Sequence, residues 1–432
     1  MNNRKSILIL MVLLIFLAAC SSEDSKKEQK ETEEETSMDK ITGYWEGAIE
    51  VPNQPLPFIA EFERESGTLS IPVQGLSNFP FGEVSFEDPE VNFSMNLQGQ
   101  MIVFDGALED ETISGTFTQQ GQSFPFKMKR GTKEASAEIG EKMEVAVTNG
   151  KLTVQVEVPE GEGPHPVAVI IAGSGPTDKN GNSIALPGKN NSLKMLGEEL
   201  KEQGIASVRF DKRGVGENML LGGNEEELRF EDYIEDVVAL VDTLKRDDRF
   251  SEISIIGHSE GALVGLAAVN RTQVDHFISL AGAGRTVDEV LVEQLTAQLP
   301  ASLLEESKEI IDQLKQGELV SGVSPELQSV FRPSVQPYMI SWLLYDPAEE
   351  IAKLNIPALI IGGTNDLQVP AEDAELLHAS NESSELMIIE GMNHVLKEVG
   401  DSEEENIAAY ADPELPLADG LMAAIVKFIS SN

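Results

Sequence analysis

In the segment Gly257-His258-Ser259-Glu260-Gly261, a serine stands between two glycines where the apolar run ISIIG (253–257) gives way to the helix-like run ALVGLAAVN. Two chemistries fit it. As a helix cap, the hydroxyl would satisfy one orphan N–H of the helix start. As a nucleophile, it would sit on a strand-to-helix turn so abrupt that a Cβ two residues to either side would clash. A serine hydroxyl is a weak nucleophile until a base takes its proton and a carboxylate orients that base. For a serine on such a turn the partners are expected in the order acid, then histidine, each just past a strand. ALIIGGTNDLQVP supplies Asp366 three residues beyond Gly363, and LMIIEGMNHVLK supplies His394 three beyond Gly391.

The competing residues fit less well. Of the five histidines, His165 precedes a strand among prolines, His276 opens a strand, His378 lies on the helical run AEDAELLHAS and His258 belongs to the turn itself. Asp373 falls in a helical pattern after Pro370, which would carry it away from the strand end. Acyl transfer also needs two backbone donors for the tetrahedral oxyanion. One is expected from the N–H of Glu260. The other is expected from the loop IAGSGPTDKNGN, with Ser174 as its donor. That loop holds no complete Gly-rich phosphate motif and residues 41–130 show no metal-ligand spacing, so neither a cofactor nor a metal is expected.

Positioning such a set requires a sheet. Six short apolar runs, at 167–173, 205–211, 253–257, 276–282, 357–363 and 385–391, alternate with helical patterns. Ile234, Val237, Val238, Val241 and Leu244 share one helical face, and SLKMLGEELKEQG closes on the glycine expected past a helix end. The stretch MEVAVTNGKLTVQVEV adds two alternating strands about Asn149-Gly150. Together these predict an α/β domain over 141–432 with an eight-stranded, mostly parallel sheet covered by helices on both faces. The connection over 283–356 is too long for a loop and holds helical stretches, so 283–350 is expected to form a helical cap.

Upstream the grammar is period two. Val91, Phe93, Met95 and Leu97 alternate with polar residues, as do Phe124, Phe126 and Met128, which predicts a small antiparallel all-β domain over 41–130. Residues 1–19 combine Arg4 and Lys5 with the apolar run Ile7 to Ala19, too short to span a bilayer and expected to be a signal peptide. Leu17-Ala18-Ala19-Cys20 resembles the lipobox of bacterial lipoproteins, which implies lipidation of Cys20, the only cysteine. The expected product is an exported chain anchored to the envelope membrane by its lipid, with 20–40 as a disordered polar tether. A formal charge of -42 makes nucleic acid an improbable partner, and it says nothing of oligomeric state.

Over roughly 140–432 the chain resembles the α/β-hydrolase superfamily. The resemblance rests on Gly257-His258-Ser259-Glu260-Gly261, AGSGPTD, DKRGVGE (211–217), GGTNDLQVP and GMNH. It is closest in character to bacterial carboxylesterases grouped with serine aminopeptidase-like hydrolases. One departure is Ala172, where the family often has histidine before the oxyanion loop. The resemblance implies hydrolysis of small acyl esters through an acyl-enzyme on Ser259, with His394 as base and Asp366 holding its tautomer. The same triad would serve an aminopeptidase or an acyl thioesterase. An aminopeptidase would need an acidic anchor for the amine, for which Glu293, Glu305 and Glu306 are available. A reading of another class is a catalytically silent envelope scaffold. Within DKRGVG, Arg213 is expected to lock its loop through hydrogen bonds rather than to hold substrate.

Overall fold

A computed structural model describes residues 38–431 apart from 52–55, 65, 72–75, 98–99, 120, 132–139 and 184–187. The signal segment, Cys20 and nearly all of the tether therefore lie outside the described residues. The chain divides into two compact units, one reaching residue 135 and one running from 136, with 73–77 grouped with the second.

Period-two patterning in the first unit builds nine strands: β1 (Gly43–Ile49), β2 (Leu56–Phe62), β3 (Gly67–Ile71), β4 (Leu76–Pro80), β5 (Glu83–Glu87), β6 (Glu90–Leu97), β7 (Gln100–Glu109), β8 (Thr112–Gln119) and β9 (Gln122–Arg130). They form one sheet in the order β4-β3-β2-β1-β9-β8-β7-β6-β5, and each pairing described among them is antiparallel. Val91, Phe93 and Met95 of β6 are buried, as are Phe126 and Met128 of β9, while Leu97 and Phe124 at the strand ends stay partly exposed. The buried face is aromatic: Phe93 stacks on Phe104 with centroids 4.5 Å apart, and Phe58, Phe117 and Phe126 ring Phe104 at 5.1–5.4 Å. Burying each such ring contributes roughly 2–3 kcal/mol against exposure.

The second unit opens with the hairpin β10 (Glu141–Val147) and β11 (Gly150–Glu157). Its turn falls one residue earlier than the Asn149-Gly150 signal suggests. Gly150 already pairs with Val147, and Asn149 alone takes the left-handed conformation, at φ 67°. There follow β12 (His165–Ile171), β13 (Ala206–Arg209), β14 (Phe250–His258), β15 (His276–Leu280), β16 (Ala358–Gly363) and β17 (Glu385–Ile389). The sheet has eight strands in the order β10-β11-β13-β12-β14-β15-β16-β17 and is mixed: β11 pairs antiparallel with both β10 and β13, and the remaining pairs are parallel.

Alternate residues of each strand feed two cores. Val167, Val169 and Ile171 face the helices α1 (Phe230–Leu244) and α2 (Glu260–Val269), where Ile234, Val237, Val241 and Leu244 are buried. Ala168 and Ile170 face the opposite layer with Leu193, Leu196, Leu200, Ile425 and Phe428. Between β15 and β16 an insertion contains α3 (Val287–Gln298), α4 (Ala301–Lys315) and α5 (Gln336–Trp342). It has its own small core of Leu295, Ile310, Ile311, Leu314, Phe331 and Met339. Among the described residues, no helix is long and apolar enough to cross a membrane.

Candidate active site

Parallel strands bring their C-terminal ends to one edge, and the chemistry collects there. β14 ends at His258, and Ser259 turns the chain into α2 with φ 54° and ψ −122°. That left-handed backbone is costly for a residue with a Cβ and persists only where the surroundings impose it. The glycines make the turn possible. A Cβ at Gly257 would lie 2.3 Å from the Gly261 carbonyl oxygen, and one at Gly261 would lie 2.4 Å from that of Ile171. The Ser259 side chain makes no capping hydrogen bond to α2, so its hydroxyl is not spent as a helix cap.

The hydroxyl points at a base instead. Ser259 Oγ lies 3.1 Å from His394 Nε2, and His394 Nδ1 lies 2.8 Å from Asp366 Oδ2. Asp366 Oδ1 accepts from the N–H groups of Gln368 and Val369 at 2.8 and 2.9 Å, which fixes the carboxylate as an acceptor. The proton shared between His394 and Asp366 therefore sits on His394 Nδ1, leaving Nε2 to accept from Ser259. His394 and Asp366 are both buried.

His258, set aside as part of the turn, has a role there. Its Nε2–H donates to the His394 backbone oxygen at 2.7 Å, while its buried Nδ1 has no hydrogen-bond partner among the described residues. Burial, reinforced by the neighbouring His394, pushes the His258 imidazole down to about 4 and keeps it neutral. His276 pairs with Ser254 and His378 with Ser384, both away from the triad. Asp373 is also buried, but its oxygens receive Gly284 N–H and the Arg285 guanidinium.

Of the two residues expected to supply oxyanion donors, Glu260 directly follows Ser259 and Ser174 lines the hollow that Ser259 opens onto. Glu260 opens α2, where the N–H groups have no partner within the helix. Ser174 and Ser259 line the same hollow of about 290 Å³, with Gly173, Asn190, Gln368 and Tyr410 among its walls. Gln368 Nε2 donates to the Tyr410 hydroxyl at 2.7 Å. A larger hollow, about 520 Å³, lies among Arg285, Asp288, Val292, Lys308 and Ile311 of the insertion and contains no triad residue.

Sequence reasoning singled out Arg213 and passed over its neighbour. Arg213 is bound to both oxygens of Asp236 and is buried, so it locks its loop to α1. Lys212, also buried, reaches the Gly173 carbonyl oxygen at 2.6 Å and Glu260 Oε2 at 2.7 Å. The only signal for it was a lysine next to an apolar run; nothing in the sequence stated which carbonyl it would meet.

The chain is similar to α/β hydrolases. Residues 189–334 match a family model described as serine aminopeptidase, S33, a stretch that includes Ser259 and Glu260 but ends before Asp366. The chain is 28% identical over 291 residues to esterase EstD of Thermotoga maritima, and the match spans 66% of each protein, slightly under two thirds of that relative's length. Among solved structures it resembles Est1E from Butyrivibrio proteoclasticus, described with ferulic acid bound (19% identity, 66% of this chain and 96% of that one, TM-score 0.43). It also resembles an esterase from Exiguobacterium antarcticum (18% identity, 67% and 100%, TM-score 0.41).

Proposed function

We propose that the chain is a serine hydrolase that cleaves small carboxylic esters, with Ser259 as nucleophile, His394 as general base then acid, and Asp366 as the orienting carboxylate. The observation that carries this reading is the unbroken relay Asp366–His394–Ser259, at 2.8 and 3.1 Å, on a backbone elbow whose serine is not used as a cap. His394 Nε2 takes the hydroxyl proton as Ser259 Oγ adds to the ester carbonyl. The oxyanion is held by the N–H groups of Glu260 and Ser174; its collapse expels the alcohol, which receives the proton from His394. Water, deprotonated by the same nitrogen, then attacks the acyl-enzyme and releases the acid.

An ester is favoured over an aminoacyl substrate because the acidic groups of the insertion are engaged elsewhere: Glu293 with Arg285, Glu305 with Lys308 and Glu306 with Ser324. At about 290 Å³ the hollow lies at the bottom of the roughly 300–1,000 Å³ range for small-molecule sites, a size that suits short acyl groups. In this reading the insertion over 283–350 acts as a cap, supported by Gln294 Nε2 donating to the Gln368 carbonyl at 2.9 Å. Cys20 is the proposed lipid anchor, placing the enzyme on the envelope membrane.

The test is turnover of p-nitrophenyl esters of increasing acyl length beside aminoacyl amides, for the native chain and Ser259→Ala. The native enzyme should favour short acyl esters, and the variant should lose on the order of 10⁶ in kcat while remaining folded. A serine-directed phosphonate should label only the native chain. Retention of a tenth of the native rate in the variant, or faster turnover of aminoacyl amides than of esters, would reject the reading.

A further inference from the structure

We infer that Lys212 is a positioning residue for the oxyanion hole, holding both of its walls at once and tying them to the helical insertion through Glu260 and Tyr338; the inference rests on the serine-hydrolase reading above. The Lys212 ammonium donates to the Gly173 carbonyl at 2.6 Å and to Glu260 Oε2 at 2.7 Å, and it lies over the Tyr233 ring at 4.9 Å from the centroid. Both side chains of the ion pair are 2% exposed. The Tyr338 hydroxyl, from α5 of the insertion, donates to Glu260 Oε1 at 2.5 Å.

The peptide plane gives the first consequence. The carbonyl of Gly173 and the N–H of Ser174 belong to one trans peptide and point in opposite directions, so fixing the oxygen fixes the direction of the N–H. Gly173 adjoins the nucleophile: a Cβ built on it would be 3.2 Å from Ser259 Cβ. Lys212, itself buried, thereby fixes the direction of the Ser174 N–H at a residue that lines the same hollow as Ser259.

Charge gives the second consequence. Glu260 follows the nucleophile, and its own N–H is the other donor. An uncompensated carboxylate on that residue would repel the negative charge that develops on the substrate oxygen, and in a buried site the repulsion is poorly screened. Lys212 cancels it. The single ammonium thus aims one donor and neutralises the side chain that carries the other. Because Tyr338 completes the carboxylate's hydrogen bonds, the insertion is linked to the hole although the described walls of the hollow include none of its residues.

The test compares the native enzyme with Lys212→Met and with Lys212→Met/Glu260→Gln. The double variant removes both charges, a replacement that is often neutral for stability, whereas the single one strands a buried carboxylate. Three readings are taken: kcat and KM on an activated short-chain ester, the melting temperature, and the affinity for a boronic acid whose tetrahedral adduct on Ser259 places an oxygen in the hole. The double variant should melt close to the native protein yet lose about 10²- to 10³-fold in kcat, with KM changed by less than about threefold and boronate affinity falling in parallel with kcat. Lys212→Arg, which retains the cation and its donors, should recover at least about tenfold of the loss in kcat seen in Lys212→Met.

A double variant that melts like the native protein and keeps kcat and boronate affinity within about threefold overturns the inference. So does a loss confined to KM, which would mean substrate binding rather than transition-state stabilisation. Failure of the hydrolase reading looks different: the native protein would neither turn over esters nor be labelled by phosphonate at Ser259.

Discussion

Two carboxylates near the site, Asp366 and Asp373, are buried to a similar degree and separate by what they hold. Asp366 accepts from His394 and two backbone N–H groups, while Asp373 is committed to Arg285 and Gly284. Asp366→Asn should keep the fold but favour the wrong His394 tautomer, costing about 10⁴ in kcat. Asp373→Asn should instead lower the melting temperature, because it weakens a buried charge pair, and leave far more of the ester rate. The reverse order of rate losses would assign the triad to the wrong acid. His258 makes a second residue-level prediction. Its folded value of about 4 lies below the unfolded value near 6.5, so between those pH values the unfolded chain binds more protons. Stability from this group is therefore lost as pH falls through that window and levels off below it. Burial raises Asp178, Asp211 and Asp236, which act in the opposite sense in any variant. Urea unfolding of native and His258→Asn proteins at several pH values isolates the histidine: the variant's relative stability should improve on acidification from pH 7 to 4. A constant difference would sink the assignment.

At the scale of elements, the elbow depends on three backbones approaching within van der Waals distance. Gly261→Ala would drive a methyl into the Ile171 and Ala172 carbonyls, at 2.4 and 2.6 Å, and neither can swing aside as a flexible side chain would. The expected cost is about 1–3 kcal/mol of stability, read from the urea midpoint, with a fall in kcat as α2 shifts the Glu260 N–H. An unchanged midpoint would mean that the strand and helix are less tightly constrained than the contacts require. The strands and amphipathic helices around the elbow were legible because burial on one or both faces leaves a period in the sequence. The hairpin turn was misplaced by one residue because Asn149 alone supplies the left-handed conformation for which an Asn-Gly pair is usually read.

At the scale of the whole molecule, attachment to the envelope is proposed to depend on one atom, the Cys20 sulfur. Cys20→Ser should move the protein from the membrane fraction to the soluble one with its ester rate intact. Persistence in membranes after a high-salt wash would require another anchor. The order of elements, the all-β and α/β units and the choice of Ser259, Asp366 and His394 as candidates all came from local patterns in the chain: periodicity, a glycine-flanked serine, or a polar residue just past a buried run. The sequence could not rank the contacts made by DKRGVG. Lys212 and Arg213 are adjacent, equally cationic and both buried, yet one grips Gly173 and Glu260 while the other grips Asp236. Nor could it show that His258 supports the backbone of His394, 136 residues away, or that Tyr338 reaches Glu260 from the insertion. Those pairings join segments far apart in the chain, and a side chain's partner there depends on distances and directions that exist only once the sheet has brought its strand ends together.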